Sequence, residues 1–196
     1  MLDFEKPIRE LEGKILELRH LSGDGQINIA AEVTRLQAKV ERLLRQTYKD
    51  ISPEQIVQVA RHAERPHCLD YIKALITDFT PLAGDRVFAE DAALVGGIGK
   101  FRDRPVVVMG QEKGHDTESR VKHNFGMPKP DGYRKAQRLV KLAEQFNLPV
   151  VTFVDTAGAF PGIEAEERGQ SEAIARSIDV FLGAQVPIVS TIIGEG

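Results

Sequence analysis

The chain has little cysteine and few aromatic residues, and no charge of either sign dominates it. Its 196 residues include one cysteine, Cys68, and no tryptophan. A single thiol excludes a disulfide framework and a four-cysteine zinc site built from this chain alone. The net charge of −3 excludes the strongly basic composition of a typical nucleic-acid-binding protein, so we predict no DNA contact.

Long apolar runs are also missing. No stretch is long enough to cross a bilayer, and residues 1–6 contain no apolar core of a secretory signal. These absences predict no membrane association and a cytoplasmic location. The composition is that of an ordinary globular protein, 42% hydrophobic and 28% charged, and the length suffices for one core with an appendage.

Apolar residues recur at alternating spacings of three and four near the N-terminus, which is typical of helices that bury one stripe each. The two stripes are Phe4, Ile8, Leu11, Ile15 and Leu18, then Ile29, Val33, Leu36, Val40 and Leu43. Between them, Ser22-Gly23-Asp24-Gly25 predicts a turn. Residues 1–50 are therefore predicted to form a helical hairpin, which either packs on its own domain or docks a partner subunit.

Residues 51–196 are predicted to form an α/β domain. Ser52-Pro53-Glu54-Gln55 has the capping hydroxyl and first-turn proline of a helix start, and a further helix is expected from Leu69 to Phe79. Alternating strands and helices then indicate parallel crossovers. The strands are expected at 93–98, 106–109, 150–154 and 188–193, the later helices near 133–146 and 166–182, and a polar segment at 110–130.

Two of these strands lead into loops of small residues, Asp155–Gly162 and Gly194-Glu195-Gly196. Such loops expose backbone N–H groups and let a ligand approach the main chain closely. No nucleophile and base can be paired from the sequence, so the pattern favours chemistry carried out by backbone amides. The alternative for Gly194-Glu195-Gly196, the start of a dinucleotide-binding fingerprint, lacks its third glycine.

The segment Lys113–Pro128, which follows the strand end at Gly110-Gln111, is dense in charge and glycine. It is either a solvated loop or a loop that offers amides and cations to an anionic substrate, and its place at a strand end favours the second interpretation. The histidines show no metal-ligand spacing with Cys68, so we predict surface or capping roles for them and no metal in this chain. They are His20, His62, His67, His115 and His123.

Several motifs, taken together and in order, carry a family resemblance. They are Asn124–Pro128, Gly132–Ala136, Asp155–Gly162, Glu166–Ala175 and Ile193–Gly196, with Asp3–Ile8 and Leu82–Arg86 in addition. Jointly they resemble the α subunit of the bacterial acetyl-coenzyme A carboxylase carboxyltransferase. The resemblance extends over essentially the whole chain, and the order of the motifs makes it specific.

The resemblance implies a fold and a site. The fold is a crotonase/ClpP-like superhelix of ββα units, an α/β fold, with an N-terminal helical hairpin. The catalytic residues implied are Gly194 and Gly196, at the start of an oxyanion turn. The residues implied to bind carboxybiotin or acyl-CoA are Gly110, Gln111, Lys113, Gly158, Ala159, Phe160, Pro161 and Gly162.

The resemblance also implies a reaction and partners. The family moves a carboxyl group from carboxybiotin on a carrier protein to acetyl-CoA, giving malonyl-CoA, the first committed step of fatty-acid biosynthesis. Two α subunits and two β subunits form a heterotetramer that works with the biotin carboxyl carrier protein and biotin carboxylase, and only the carboxylase uses ATP. The α subunit takes the biotin side, β takes mainly the thioester and carries zinc, and no cofactor is expected on this chain.

The sequence departs from the family at two points. The loop commonly reads Asp-Thr-Pro-Gly-Ala-Tyr-Pro-Gly, and here Ala157 and Phe160 replace the proline and tyrosine, so that hydroxyl is not essential in an active protein. The family also continues beyond Gly196 into a glycine-rich turn, and we therefore expect a fragment. Three alternatives remain open: a non-catalytic scaffold subunit, another acyl-CoA enzyme of the crotonase fold, and a peptidase.

Overall fold

The computed structural model describes residues 2–21 and 28–196, which form two compact units, Met1–His62 and Ala63–Gly196. The division falls after His62, because helix α3 belongs to the first unit, whereas the sequence placed it after residue 50. The turn predicted at Ser22–Gly25 lies outside the described residues. None of the helices in the described ranges is both long and apolar enough to cross a membrane.

The first unit contains the predicted hairpin, with α1 at Lys6–Leu21 and α2 at Asn28–Lys49, followed by α3 at Pro53–Ala60. The two stripes meet in a small core formed by Ile8, Ile15 and Val40, with Leu11, Val33, Leu36, Leu43 and Leu44 packed around it. The Tyr48 hydroxyl donates a hydrogen bond of 2.6 Å to Glu5 and fastens the end of α2 to the start of the chain. The helices are therefore held by one apolar seam.

Helix α3 begins at the predicted capping box. The hydroxyl of Ser52 accepts a hydrogen bond from the Gln55 N–H at 3.2 Å, and the Gln55 side chain accepts one from the Ser52 N–H at 2.7 Å. Pro53 occupies the first helical position, where the proline nitrogen costs no hydrogen bond.

Replacing Ile8 with aspartate is expected to unfold the hairpin, because Ile8 is buried in its seam and a charge there has no partner. The free energy of unfolding should fall by about 3 kcal/mol or more. Denaturant unfolding monitored by far-UV circular dichroism measures the change. Leu16→Asp is the matched control, because Leu16 is 58% exposed on the same helix. Equal stability of the two variants would mean that the seam is not a core.

The second unit is built on one mixed sheet of five strands. The strands are β1 at Ile76–Pro81, β2 at Leu94–Phe101, β3 at Arg104–Gln111, β4 at Val150–Val154 and β5 at Ile188–Ile192, in that spatial order. The pairs β1–β2 and β2–β3 are antiparallel, whereas β3–β4 and β4–β5 are parallel. The predicted parallel crossovers therefore apply to the last three strands, whose carboxyl ends share one edge of the sheet.

Helices cover the two faces of this sheet. The helices of the second unit are α4 at Cys68–Leu75, α5 at Thr117–Lys122, α6 at Pro130–Gln145, α7 at Ile163–Glu167 and α8 at Gln170–Gly183. Side chains alternate along β3, so Val107 and Met109 join the core with α6 and α8, while Val106 and Val108 join the core with α4. Both faces of β3 and β4 are thus buried, and function must be sought at their ends.

Two helix predictions were wrong in extent. The helix expected at Leu69–Phe79 ends at Leu75, and Ile76–Pro81 is strand β1, because pairing with β2 outweighs the helical spacing of its apolar residues. The helix expected near 166–182 is two helices, α7 and α8, which are separated at Arg168-Gly169. Gly169 adopts a φ of +80° there, which interrupts the helix. The polar segment at 110–130 also contains α5, capped by Asp116.

Candidate functional site

An ion cluster joins the carboxyl ends of β3, β4 and β5. Lys113 follows β3, Asp155 follows β4 and Glu195 follows β5. The Lys113 ammonium lies 2.8 Å from Asp155 Oδ1 and 2.8 Å from Glu195 Oε1. The Asp155 side chain is only 6% exposed, so the Lys113 ammonium is its counter-ion in a site with little water. We call these three residues the strand-end triplet.

Hydrogen bonds donated by backbone N–H groups also join the same strand ends. The Thr156 N–H donates to the carbonyl of Glu195 at 2.8 Å, and the Glu195 N–H donates to Asp155 Oδ1 at 3.0 Å. The Asp155 N–H donates to Gln111 Oε1 at 3.2 Å. A Cβ on Gly194 would collide with the Asp155 carboxylate, so only glycine fits beside the triplet. The two loops of small residues therefore lie side by side, because β4 and β5 are neighbouring parallel strands.

Two glycines, Gly158 and Gly162, determine the backbone path of the loop Asp155–Gly162. Gly158 adopts a φ of +137°, which side chains rarely permit, and its N–H donates to Thr156 Oγ1 at 3.1 Å. A Cβ on Gly162 would collide with the Phe160 ring. The Phe160 N–H donates to the carbonyl of Pro128 at 3.0 Å, which holds the middle of the loop against the segment before α6.

Several backbone donors remain available at these strand ends. Within the described ranges, no group accepts a hydrogen bond from the N–H of Ala159, Gly162, Gly194 or Gly196. The N–H of Gly158, by contrast, donates to Thr156. The predicted site residues with such an N–H, among them Ala159 and Gly194, can stabilise a developing negative charge.

The other predicted substrate residues divide between two places. Gly110 and Gln111 line a cavity of about 240 Å³ between the sheet and helices α6 and α8. Lys113 and Gly158–Gly162 do not line it. The cavity is mainly apolar, and its other lining residues are Leu94, Met109, Pro128, Gly132, Tyr133, Ala136, Thr152, Phe153, Val154, Ser177, Phe181 and Ser190. The strand-end loops and this cavity are therefore separate features on the same strands.

Neither Cys68 nor Ser171, the two candidate nucleophiles, has the environment of an activated nucleophile. Burial raises the pKa of the Cys68 thiol, and the charges of Glu112 and Asp155 raise it further, so the thiol stays protonated. Ser171 is exposed in the first turn of α8. These environments give no support to a peptidase.

A charged network that the sequence did not reveal anchors α6 and the segment before β2. Arg134 Nε lies 2.7 Å from Asp85 Oδ2, and Arg134 and Arg168 contact the two oxygens of Asp131 at 2.9 and 2.8 Å. Lys135, which is 1% exposed, pairs with Glu90 at 2.5 Å. These ion pairs hold the first turn of α6 in place. Pro128, just before α6, in turn accepts the hydrogen bond from the Phe160 N–H in the loop Asp155–Gly162.

The Asp85 carboxylate is expected to make the free energy of unfolding depend on pH in the acid range. Burial alone would raise the pKa of Asp85, but hydrogen bonds from Arg134 and from the N–H groups of Phe88 and Val87 outweigh it and lower the pKa to about 2. Because the ordinary value is 3.8, this stabilisation of about 2 kcal/mol is present above pH 3.8 and lost as the pH falls toward 2.

Urea unfolding at several pH values tests the pH-dependent stabilisation by Asp85. Asp85→Asn should reduce the free energy of unfolding at neutral pH and flatten its acid dependence, whereas Asp179→Asn, at an exposed position on α8, should change neither. An unchanged acid dependence in Asp85→Asn would contradict the assignment.

Comparison with solved structures defines the class of fold. A single-chain, multi-domain long-chain acyl-CoA carboxylase aligns with a TM-score of 0.55 and 21% identity, over 69% of this chain and 14% of that one. Transcarboxylase 12S, solved with hydrolysed methylmalonyl-coenzyme A bound, aligns with a TM-score of 0.54 and 20% identity, over 73% of this chain and 26% of that one. The fold is the crotonase-like α/β fold of carboxyltransferases, as predicted.

Sequence comparison then identifies the family. The model of the family "Acetyl co-enzyme A carboxylase carboxyltransferase-like" matches residues 1–196, and the chain belongs to this family. The acetyl-coenzyme A carboxylase carboxyl transferase subunit alpha of Rhodospirillum centenum is 72% identical over 195 residues, and that of Paramagnetospirillum magneticum is 66% identical over 196. The chain is covered fully in both cases and spans 62% of the length of each relative.

Proposed function

We propose that the chain contributes to a carboxyltransferase that moves the carboxyl group from carboxybiotin, carried on a carrier protein, to acetyl-CoA and so forms malonyl-CoA in fatty-acid biosynthesis. Family membership supports this proposal, and one observation carries it within the molecule. The ends of β3, β4 and β5 are joined by the strand-end triplet beside two loops whose Ala159 and Gly194 amides are available as donors. That arrangement suits a reaction in which charge develops on carbonyl oxygens.

The chemistry needs charge stabilisation more than a side-chain base. The N–C bond of carboxybiotin breaks and leaves a ureido anion, a C–H bond of the acetyl methyl group breaks, and a C–C bond forms to the released carboxyl carbon. The proton from the methyl group ends on the biotin nitrogen. Negative charge therefore appears first on the ureido oxygen and on the thioester enolate oxygen, and each preorganised N–H donor is worth about 3–4 kcal/mol to such a charge.

Particular residues take particular parts in this proposal. Gly194 and Gly196 begin the oxyanion turn, and the loop Gly158–Gly162 surrounds the carboxybiotin side of the site. Gly110 and Gln111 lie at the end of β3 beside this loop, where Gln111 Oε1 accepts a hydrogen bond from the Asp155 N–H. Lys113 serves to hold the strand ends rather than to bind an anion, since both Asp155 and Glu195 already neutralise its charge.

The proposed assembly contains further subunits. A β subunit binds most of the acetyl-CoA thioester and carries zinc, and two α and two β subunits form a heterotetramer. The biotin carboxyl carrier protein delivers the carboxyl group, and a separate biotin carboxylase consumes ATP to load it. The family resemblance assigns the zinc to the β subunit, and this chain, whose one cysteine is the buried Cys68, offers no four-cysteine site.

An omission experiment tests the proposal. The complete coding sequence is expressed, so that any residues following Gly196 are included, and malonyl-CoA is measured with this chain, with the β subunit, and with both. We expect product only when both are present with carboxylated carrier. Equal activity of the β subunit alone would make this chain a scaffold, and turnover by this chain alone would show that the site is not shared. Either result would contradict the proposal.

A further inference from the structure

Three potential metal ligands meet at the start of α4, and none of them lines the cavity or belongs to the two loops of small residues. His67 precedes the first residue of α4, Asp70 lies in its first turn, and His115 lies on the segment after β3. One ligand atom from each of the three lies within 4.8 Å of the others. The His115 Nε2 atom is 3.1 Å from Asp70 Oδ2, and the two imidazole rings are 4.2 Å apart between centroids.

His67 has a buried nitrogen that the protein leaves unsatisfied. The residue is 5% exposed, and Nδ1 makes no hydrogen bond within residues 2–21 and 28–196. Glu112 Oε1 is 3.8 Å away, beyond hydrogen-bonding distance. The Glu112 carboxylate is instead used by the N–H groups of Leu69 and Gly114, each at 2.8 Å. A buried polar atom without a partner calls for a physical explanation, and an ion would supply it.

We propose that His67, Asp70 and His115 form a binding site for a divalent transition-metal ion of the Zn²⁺ type. The ligands are Nδ1 of His67, Nε2 of His115 and one carboxylate oxygen of Asp70. Two imidazoles and a carboxylate form a donor set that zinc accepts, with a fourth position left for water.

The site requires only a small movement to close around an ion. Zinc bonds of about 2.0–2.2 Å place neighbouring ligand atoms roughly 3.4 Å apart. The side chains of His115 and Asp70 are 56% and 45% exposed, so these two can approach His67 while it remains fixed. Asp70 Oδ2 already accepts a hydrogen bond from the His67 backbone N–H at 2.8 Å. This bond keeps the carboxylate next to His67 and leaves Oδ1 of Asp70 to bind the ion.

The consequence of binding is structural. An ion at this site ties the first turn of α4 to the segment after β3 that carries Lys113. The ion would therefore restrain the position of Lys113, one of the three residues of the strand-end triplet. It takes no part in the bond changes of the proposed reaction. The inference does not depend on the proposed function, since it concerns only what these three side chains bind.

Metal titration of the purified chain tests the site. The protein is treated with a chelator and dialysed, and Zn²⁺ alone is then added in a calorimeter, with bound metal counted by elemental analysis. We expect one equivalent to bind and the melting temperature to rise with added Zn²⁺. Co²⁺ in place of Zn²⁺ should give the visible absorption of a site with nitrogen ligands. Absence of binding to the wild-type chain would overturn the proposal.

Variants distinguish this site from adventitious binding. His115→Ala should weaken binding by more than the roughly 10–100-fold that loss of an outer contact costs. Asp70→Asn, which keeps an acceptor for the His67 N–H, should also weaken it. His20→Ala, at an exposed position on α1, is the control and should bind as the wild type does. Unchanged affinity in both His115→Ala and Asp70→Asn, with circular dichroism intact, would mean an adventitious ion and overturn the proposal.

Discussion

Replacing Gly158 with valine is expected to lower carboxyl transfer by about 100-fold, because a shift of roughly 1 Å at a reacting centre has that effect. Valine cannot easily adopt the φ of +137° found at Gly158, so the loop must change its path. No atom lies within 4 Å of a Cβ built there, so the core is not disturbed and the melting temperature should change little. Steady-state kinetics with the carrier protein varied measure the effect.

Two variants serve as controls for Gly158→Val. Gly13→Val adds the same side chain on α1, where a Cβ also meets open space but φ is not positive, and it should leave transfer unchanged. Phe160→Tyr should be tolerated, because the family commonly has tyrosine at this position. Full activity in Gly158→Val would remove the loop from the site and leave the family resemblance as a statement about fold.

Replacing Lys113 with methionine is expected to reduce both stability and transfer. The change keeps most of the apolar stem but removes the ammonium that lies 2.8 Å from both Asp155 and Glu195. Asp155 is 4% exposed, and a buried carboxylate that loses its cation destabilises the folded state by about 3 kcal/mol. The ends of β4 and β5 should then separate, and transfer should fall by about 100-fold or more.

Urea unfolding and the transfer assay together measure the Lys113→Met effect. Lys141→Met, at an exposed position on α6, should change neither quantity. Adding Asp155→Asn to Lys113→Met should restore part of the lost stability, because the second change removes the carboxylate left without the ammonium. Unaltered stability in Lys113→Met would mean that the triplet does not hold the strand ends.

Much of the architecture was predictable because periodicity and strand-end chemistry are local properties. The stripes of α1 and α2 and the apolar runs of β3 and β4 depend on neighbouring residues in the sequence. Strand β1 was missed because Tyr71, Leu75 and Phe79 repeat every four residues and so resemble a helix face. Its pairing with β2 is a tertiary property, since Gly97 and Gly99 make room for Thr80 and Ile76, and no local pattern contains it.

The candidate site was predictable only in part for the same reason. Small residues after β4 and β5 indicated loops that a ligand could approach, and the parallel sheet brings these loops together. The triplet was not predicted, because the register that brings Lys113 to Asp155 and Glu195 is set by packing. His67 and His115 are far apart in the sequence, and their approach depends on where α4 packs against the sheet.

Photolabelling from the biotin side tests the central claim most directly. A carrier protein whose biotin bears a photoreactive group is irradiated with the reconstituted carboxyltransferase, and the labelled residues are mapped by mass spectrometry. Label is expected on Thr156–Gly162 or Gly194–Gly196, and excess unmodified carrier should abolish it. Label confined to α4, to the hairpin α1–α2 or to the β subunit would contradict the placement of the carboxybiotin site at the ends of β4 and β5.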